Sequence, residues 1–129
     1  MILADSNVII FSETEEYPEH KIAVEKLSSF AEEGILINTI IISEVFHKLS
    51  IIKNHEEALK RTKNILSSKS FVYIPVEKET IEKALELTEH VLINDAIIAQ
   101  HAIDSKTPLF TDDTKHFGKI KCLKLIKLR

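Results

Sequence analysis

Short apolar runs alternate with longer segments of helical periodicity along this chain. The runs Met1–Ala4, Ile35–Ile37 and Phe71–Ile74 have the length and composition of buried strands. Two further runs follow at Pro108–Phe110 and Ile120–Leu128. Because helical segments separate the strands, we expect parallel strands joined by right-handed crossovers. The pattern therefore predicts an α/β fold around a mainly parallel sheet of about five strands.

Between these strands, apolar residues recur every three or four positions, as they do on one face of a helix. Gly34 is placed to end the first helix, and Asn38 or Thr39 to begin the next. Asn94 has the character of an N-cap, which puts Asp95 in the first turn of a later helix. The predicted helical segments are Glu19–Glu33, Ile41–Ile52, His55–Leu66, Ile81–Leu92 and the segment that follows Asn94.

Length and composition fit one domain over residues 1–129, since 129 residues with 44% apolar side chains can bury one sizeable core. The only cysteine, Cys122, is expected inside the last strand with Leu123 and Leu125, and it cannot form an internal disulfide. The start of the chain lacks the features of a secretory signal. No apolar run approaches the roughly 20 residues of a membrane span. We expect a cytoplasmic protein without a membrane anchor.

The net charge of −3 excludes a protein that grips nucleic acid by overall positive charge. Any such contact must be local, and the basic residues form two groups that are either solvated surface or nucleic-acid contacts. The first group is Lys53, His55, Lys60 and Arg61, and the second is Lys119, Lys121, Lys124, Lys127 and Arg129.

Acidic residues occupy the positions where an α/β sheet binds ligands. Asp5 follows the first strand, and Asp112 and Asp113 follow the fourth, so both sites lie at the carboxyl edge of the predicted sheet. Glu44 lies on the flank of a helix, where the alternative is a surface ion pair with Lys48, and Asp95 lies in a first helical turn. If these carboxylates converge, each uncompensated pair repels by about 4 kcal/mol at an effective dielectric of 20. Such a cluster requires a cation or protonation.

Oxygen ligands favour Mg²⁺ or Mn²⁺, whereas zinc prefers thiolates and histidines, and the six histidines form no zinc-binding pair. One or two such ions would activate a water and neutralise charge on a phosphodiester. The acidic residues therefore predict metal-assisted phosphodiester hydrolysis. We assign no catalytic role to His101 or His116.

Four segments in order resemble the motifs of PIN-domain nucleases, in particular the VapC-like toxins of toxin–antitoxin pairs. They are L-A-D-S-N-V-I-I, N-T-I-I-I-S-E-V, I-N-D-A-I-I-A-Q and L-F-T-D-D-T-K-H-F, and they are spread so that the resemblance covers nearly the whole chain. The resemblance maps Asp5, Glu44, Asp95 and Asp113 onto the family's metal-binding acids, with Asp112 as a substitute for Asp113. A supporting role by hydrogen bonding falls to Asn7, Asn94 and Thr111.

The same resemblance implies a three-layer α/β/α architecture and magnesium-dependent cleavage of RNA. It also implies a homodimer and a small antitoxin partner. Two alternatives remain open on the residues alone. One is a PIN-fold module that binds RNA or protein without turnover. The other is a phosphotransferase using an aspartyl-phosphate, although that chemistry favours a second Asp where this chain has Asn7.

Overall fold

A five-stranded parallel sheet in the order β3-β2-β1-β4-β5 forms the centre of the molecule in the computed structural model, which describes residues 1–129. Every neighbouring pair of strands is parallel, which confirms the predicted sheet. The strands are β1 Ile2–Ala4, β2 Ile35–Ile37, β3 Phe71–Tyr73, β4 Leu109–Thr111 and β5 Leu125–Lys127.

Seven helices and one 3-10 turn flank the sheet in the predicted three-layer arrangement. One group packs α1 against α2 and α3, and α3 against α4, whereas α5 packs against α6. None of the helices combines the length and the apolar character needed to cross a membrane. The helices are α1 Ser6–Ser12, α2 His20–Phe30, α3 Thr39–Ile52, α4 His55–Ser67, α5 Lys78–Leu85, α6 Ile93–Asp104 and α7 Thr114–Phe117, with the 3-10 turn at Glu86–Glu89.

The strand order places a topological switch point beside β1. The chain adds β2 and β3 on one side of β1 and then returns to add β4 and β5 on the other side. The three central strands are buried along their whole length, as their continuous apolar sequences predict. Residues that follow β1 and β4 therefore border the crevice where sheets of this kind bind ligands.

Three local predictions are wrong. The helix predicted over Ile81–Leu92 begins earlier, ends as an α-helix at Leu85 and continues as a 3-10 turn only to Glu89. Asn94 does not cap α6, because the extended residue Leu92 precedes the helix and Asn94 already lies in its exposed first turn. Cys122 is not inside a strand, because the chain turns there with a φ of 68° and leaves the thiol exposed. The last strand begins only at Leu125.

Candidate active site

Asp5 lies where β1 ends and α1 begins, and its side chain is 4% exposed. Its Oδ1 accepts a hydrogen bond of 2.8 Å from the backbone N–H of Ser6, and its Oδ2 accepts one of 2.7 Å from the hydroxyl of Thr111. Burial, with a smaller contribution from the carboxylates of Asp95 and Glu44, raises the pKa of Asp5 to about 7 despite these two hydrogen bonds. A buried carboxyl with this pKa is partly protonated near neutral pH, and a bound cation would stabilise its deprotonated form.

Thr111, the last residue of β4, connects three parts of the site through one hydroxyl. Besides donating to Asp5, this oxygen accepts hydrogen bonds from the backbone N–H of Asp113 at 3.0 Å and from Asn7 Nδ2 at 3.4 Å. Asn7 Oδ1 in turn accepts a bond of 3.3 Å from the backbone N–H of Asp112. Asn7 thus contacts Thr111 and the loop after β4, not a neighbouring carboxylate.

Glu44 reaches the site from α3. Asn38 begins this helix, because its Oδ1 accepts from the backbone N–H of Ile41 at 3.0 Å. The hydroxyl of Ser6 donates a hydrogen bond of 2.9 Å to Glu44 Oε1, which connects Glu44 to the residue beside Asp5. Glu44 makes no ion pair with Lys48, so the surface-pair alternative does not describe its side chain.

Asp95 is a half-buried carboxylate in the first turn of α6 that receives no hydrogen bond and makes no ion pair. Burial raises its pKa, the nearby carboxylates of Glu44 and Asp113 raise it further, and His116 opposes them. Asn94, beside it, is exposed and makes no side-chain hydrogen bond. Asp95 is therefore the acid of the cluster whose charge is least compensated by the protein.

The two acids after β4 have different surroundings. Asp113 caps α7, accepts from the backbone N–H of His116 at 3.2 Å and lies 3.0 Å from His116 Nδ1. Asp112 instead accepts two hydrogen bonds from the guanidinium of Arg129, at 3.1 and 3.0 Å. A cavity of about 420 Å³ is lined by Asp95, Asp113 and His116 together with residues 88–92, and Asp112 is not part of its wall.

His101 lies on α6 but is buried away from this cavity. Its Nδ1 is 2.8 Å from Asn38 Nδ2, and a hydrogen bond joins the ring to the backbone of Pro75. Burial lowers the pKa of His101, so the ring is neutral and accepts from the Asn38 amide. The pair fastens α6 to the start of α3, the two helices that carry Asp95 and Glu44.

The donors suit a hard divalent cation, although the side chains are not gathered into a finished ligand set. No three acidic, histidine or cysteine side chains stand close enough together to hold a metal ion as they are. The four acids nevertheless lie near enough to affect one another. The carboxylates of Asp95 and Glu44 raise the pKa of Asp5, and those of Glu44 and Asp113 raise the pKa of Asp95. Carboxylate oxygens are the ligands that Mg²⁺ and Mn²⁺ prefer, so the chemistry of these side chains fits such an ion.

Three residues of the site had no assigned role in the sequence interpretation. Ser6 belongs to the quoted first motif, and a hydroxyl directly after the acid was the available signal. His116 was set aside as a lone histidine, yet it lines the cavity and contacts Asp113. Arg129 counted only as a basic terminal residue, and nothing local in the sequence indicates its contact with Asp112.

Comparisons with known proteins identify the family and the fold of the chain. The family model described as PIN domain matches residues 2–121. No curated protein matches the chain. Among solved structures, that of VapBC2 from Rickettsia felis bound to a promoter DNA fragment is 23% identical, with a TM-score of 0.79 and 98% of each chain covered.

Two other solved structures share the fold. VapC20 from Mycobacterium tuberculosis, a toxin that cleaves the sarcin–ricin loop, is 16% identical with a TM-score of 0.78, over 94% of this chain and 98% of that one. DNA-bound VapBC from Salmonella typhimurium is 15% identical with a TM-score of 0.79 over 100% of both chains. The fold and the family match over nearly the whole length agree, and the chain belongs to the PIN-domain family.

Proposed function

We propose that this chain is a metal-dependent endoribonuclease in which Asp5, Glu44, Asp95 and Asp113 hold Mg²⁺, with Mn²⁺ as a substitute. The observation that carries the proposal is Asp95, a half-buried carboxylate that no donor contacts and that neighbouring carboxylates surround. Without a cation such an arrangement costs free energy through repulsion and desolvation. A bound divalent cation would offset that cost by attracting the carboxylates that otherwise repel one another.

A bound Mg²⁺ would polarise a water molecule and neutralise charge on the phosphodiester. The chain's own residues orient the ligands. Thr111 and the backbone of Ser6 hold the two oxygens of Asp5, and the Ser6 hydroxyl holds Glu44. His116 contacts Asp113 at the cavity wall, where it fixes the direction of that carboxylate. Asp112 is occupied by Arg129, which favours Asp113 as the fourth ligand.

The decisive experiment is cleavage of a set of structured RNAs with and without Mg²⁺ by the parent protein, Asp5→Asn and Asp95→Asn. Glu25→Gln, which changes an exposed acid on α2, is the matched control. We expect both site variants to lose cleavage while circular dichroism shows an intact fold, and the control to cut normally. Undiminished cleavage by Asp5→Asn would overturn the proposal.

The VapC-like part of the proposal concerns partners. We propose a cytoplasmic toxin that forms a homodimer and is inhibited by a small antitoxin. Apolar side chains remain exposed at Leu85, Leu92 and Ile93, close to the cavity, which suits a protein partner. The fold neighbours include toxin–antitoxin complexes. Light scattering of the purified chain tests the dimer, and an open reading frame for a small DNA-binding protein beside the gene tests the antitoxin.

A non-catalytic RNA- or protein-binding module is the second candidate, favoured by the separation of the acidic side chains, which do not form a finished metal site. The same RNA panel distinguishes it from the first. A preparation that binds RNA but leaves it uncut with both Mg²⁺ and Mn²⁺ would establish the module in place of the nuclease.

A further inference from the structure

The charges of this chain are sharply segregated. All 20 acidic residues lie in residues 1–113, whereas residues 114–129 contain five lysines and one arginine. All five lysines are exposed and make no ion pair, and we call the four that precede β5 the basic strip. They are Lys115, Lys119, Lys121 and Lys124.

The basic strip begins at the wall of the cavity. Lys115 belongs to α7, next to His116, which lines the cavity with Asp113. The chain then returns from the carboxyl edge of the sheet to its amino edge, because Leu125 of β5 pairs with Leu109, the first residue of β4. Lys119, Lys121 and Lys124 lie on this return segment, along the outer edge of the sheet. The strip thus connects the cavity with one side of the molecule.

A phosphodiester substrate needs positive charge close to this cavity. The wall includes the acids Glu89, Asp95 and Asp113, so the cavity itself repels phosphates. Compensating charge must lie nearby, because salt screens exposed charges beyond about 8 Å at physiological ionic strength. Lys115, next to His116, and Lys119, whose backbone N–H donates to the carbonyl of His116 at 3.3 Å, meet that condition. Lys121 and Lys124 continue the positive charge away from the cavity.

The other basic group, at the end of α3 and on α4, does not supply positive charge close to the cavity. Arg61 is paired with Glu13 and Glu57, and Lys53 with Glu16. Helix α4 packs against β3, the edge strand opposite β5, and the two edges are roughly 19 Å apart at about 4.8 Å per strand spacing. Its exposed lysines Lys60 and Lys63 are therefore screened from the cavity and provide a matched control.

We propose that the basic strip is the surface that binds the phosphate backbone of single-stranded RNA and leads it to the acidic cavity. The choice of RNA as ligand rests on the proposed function, whereas the position of the surface rests on the charges and the topology. Lysines that contact phosphates contribute affinity without base specificity and make it dependent on salt.

The test compares Lys119→Gln/Lys121→Gln with Lys60→Gln/Lys63→Gln. Both are made in an Asp5→Asn background and measured by fluorescence anisotropy with a labelled single-stranded RNA of mixed sequence in Mg²⁺. We expect the strip variant to bind about tenfold more weakly and to lose about 1.4 from its log–log salt slope, at about 0.7 per phosphate contact. The α4 variant should bind as the parent does. Equal binding by the two double variants overturns the proposal.

Two further measurements separate the possible failures. Unchanged RNA binding with weakened binding of polyglutamate would assign the strip to an acidic protein partner and also overturn the proposal. Cleavage by the protein without the Asp5 substitution is recorded in parallel. If the RNA is never cut but the strip variant loses RNA binding, the nuclease proposal fails and the basic strip stands. If the RNA is cut normally but the strip variant binds it as the parent does, the basic-strip proposal fails and the nuclease proposal stands.

Discussion

Thr111 donates a hydrogen bond of 2.7 Å to Oδ2 of Asp5 across a sequence separation of 106 residues. The bond joins the ends of β4 and β1 at the switch point of the sheet. It stabilises the charged form of the one acid that is almost completely buried, and so it opposes the effect of burial on the pKa of Asp5.

Replacing Thr111 with Val should weaken metal binding by about 10- to 100-fold, which is the usual cost of losing a residue that orients a ligand. Valine keeps the shape but cannot donate to Asp5 or accept from the backbone N–H of Asp113. Calorimetric titration with Mn²⁺ measures the affinity. Thr111→Ser retains the hydroxyl and should restore most of it. Parent-like affinity in the valine variant would show that the hydroxyl does not orient Asp5.

Asp5→Asn should stabilise the metal-free protein at pH 8. A carboxyl whose pKa is raised in the folded state contributes stability that is present below its ordinary pKa of 3.8 and lost as the pH rises through about 7. At pH 8 the free energy of unfolding of the parent is lower by on the order of 4 kcal/mol, at 1.36 kcal/mol per pKa unit. The Asn side chain of the variant carries no charge, so the variant does not lose this stability. Urea unfolding with a chelator measures the difference. Mg²⁺ should then stabilise the parent but not the variant, and equal stabilisation of both would contradict the role of Asp5 as a ligand.

Asp113→Asn should reduce cleavage by at least about 100-fold, whereas Asp112→Asn should have a much smaller effect. The reason is that Asp113 lines the cavity while Asp112 is held by Arg129. Arg129→Gln should also have a small effect, and although it removes the ion pair with Glu19 as well, the double variant should lose little more than Arg129→Gln alone because Asp112 has then already lost its partner. Initial rates at saturating RNA provide the comparison. A larger loss from Asp112→Asn would identify that residue as the fourth acid.

Acidification should destabilise the parent through His101. Its pKa is lowered in the folded state by burial, although Asp104 and Glu77 oppose the shift, so its contribution to stability is present above the ordinary pKa of 6.5 and is lost as the pH falls below it. A proton on Nδ1 would face the Asn38 amide that now donates to it. As the pH falls from 8 to 5, the urea midpoint of the parent should decrease toward that of His101→Gln. Parallel curves would show that His101 does not titrate in this range.

Two helix caps give a matched pair of variants. Asn38→Ala removes the cap of α3 and leaves His101 without its donor, for a loss of roughly 2–3 kcal/mol in the free energy of unfolding. Asn54→Ala removes only the exposed cap of α4, for a loss of about 1 kcal/mol. Denaturant unfolding at neutral pH measures both. Equal losses would mean that the bond between Asn38 and His101 contributes nothing.

The sheet and the positions of Asp5, Glu44 and Asp95 in the fold could be predicted because each depends on a local pattern. An apolar run that breaks at Asp5 places that residue at a strand end, and helical periodicity places Glu44 on a flank of α3. Asn94 was misplaced because any of several polar residues near a helix start has capping propensity, and the chain enters α6 earlier, after Leu92. Cys122 was misplaced because a turn at positive φ interrupts an otherwise strand-like apolar pattern.

Long-range partners could not be predicted in the same way. The contact of Arg129 with Asp112 depends on the pairing of β5 with β4, and that of Ser6 with Glu44 depends on how α3 packs against α1. Such contacts also distinguish Asp112 from Asp113. Sequence spacing treats the two acids as nearly equivalent, whereas the structure gives them different neighbours.

The switch point also determines when during synthesis this site can exist. Asp5 and Glu44 are synthesised well before β4 and the acid that follows it. A nascent chain that ends at β3 has neither the strand that flanks β1 nor the hydroxyl that holds Asp5. The four acids can therefore come together only after β4 and Asp113 have been synthesised, so any activity that needs all four arises after that point of translation.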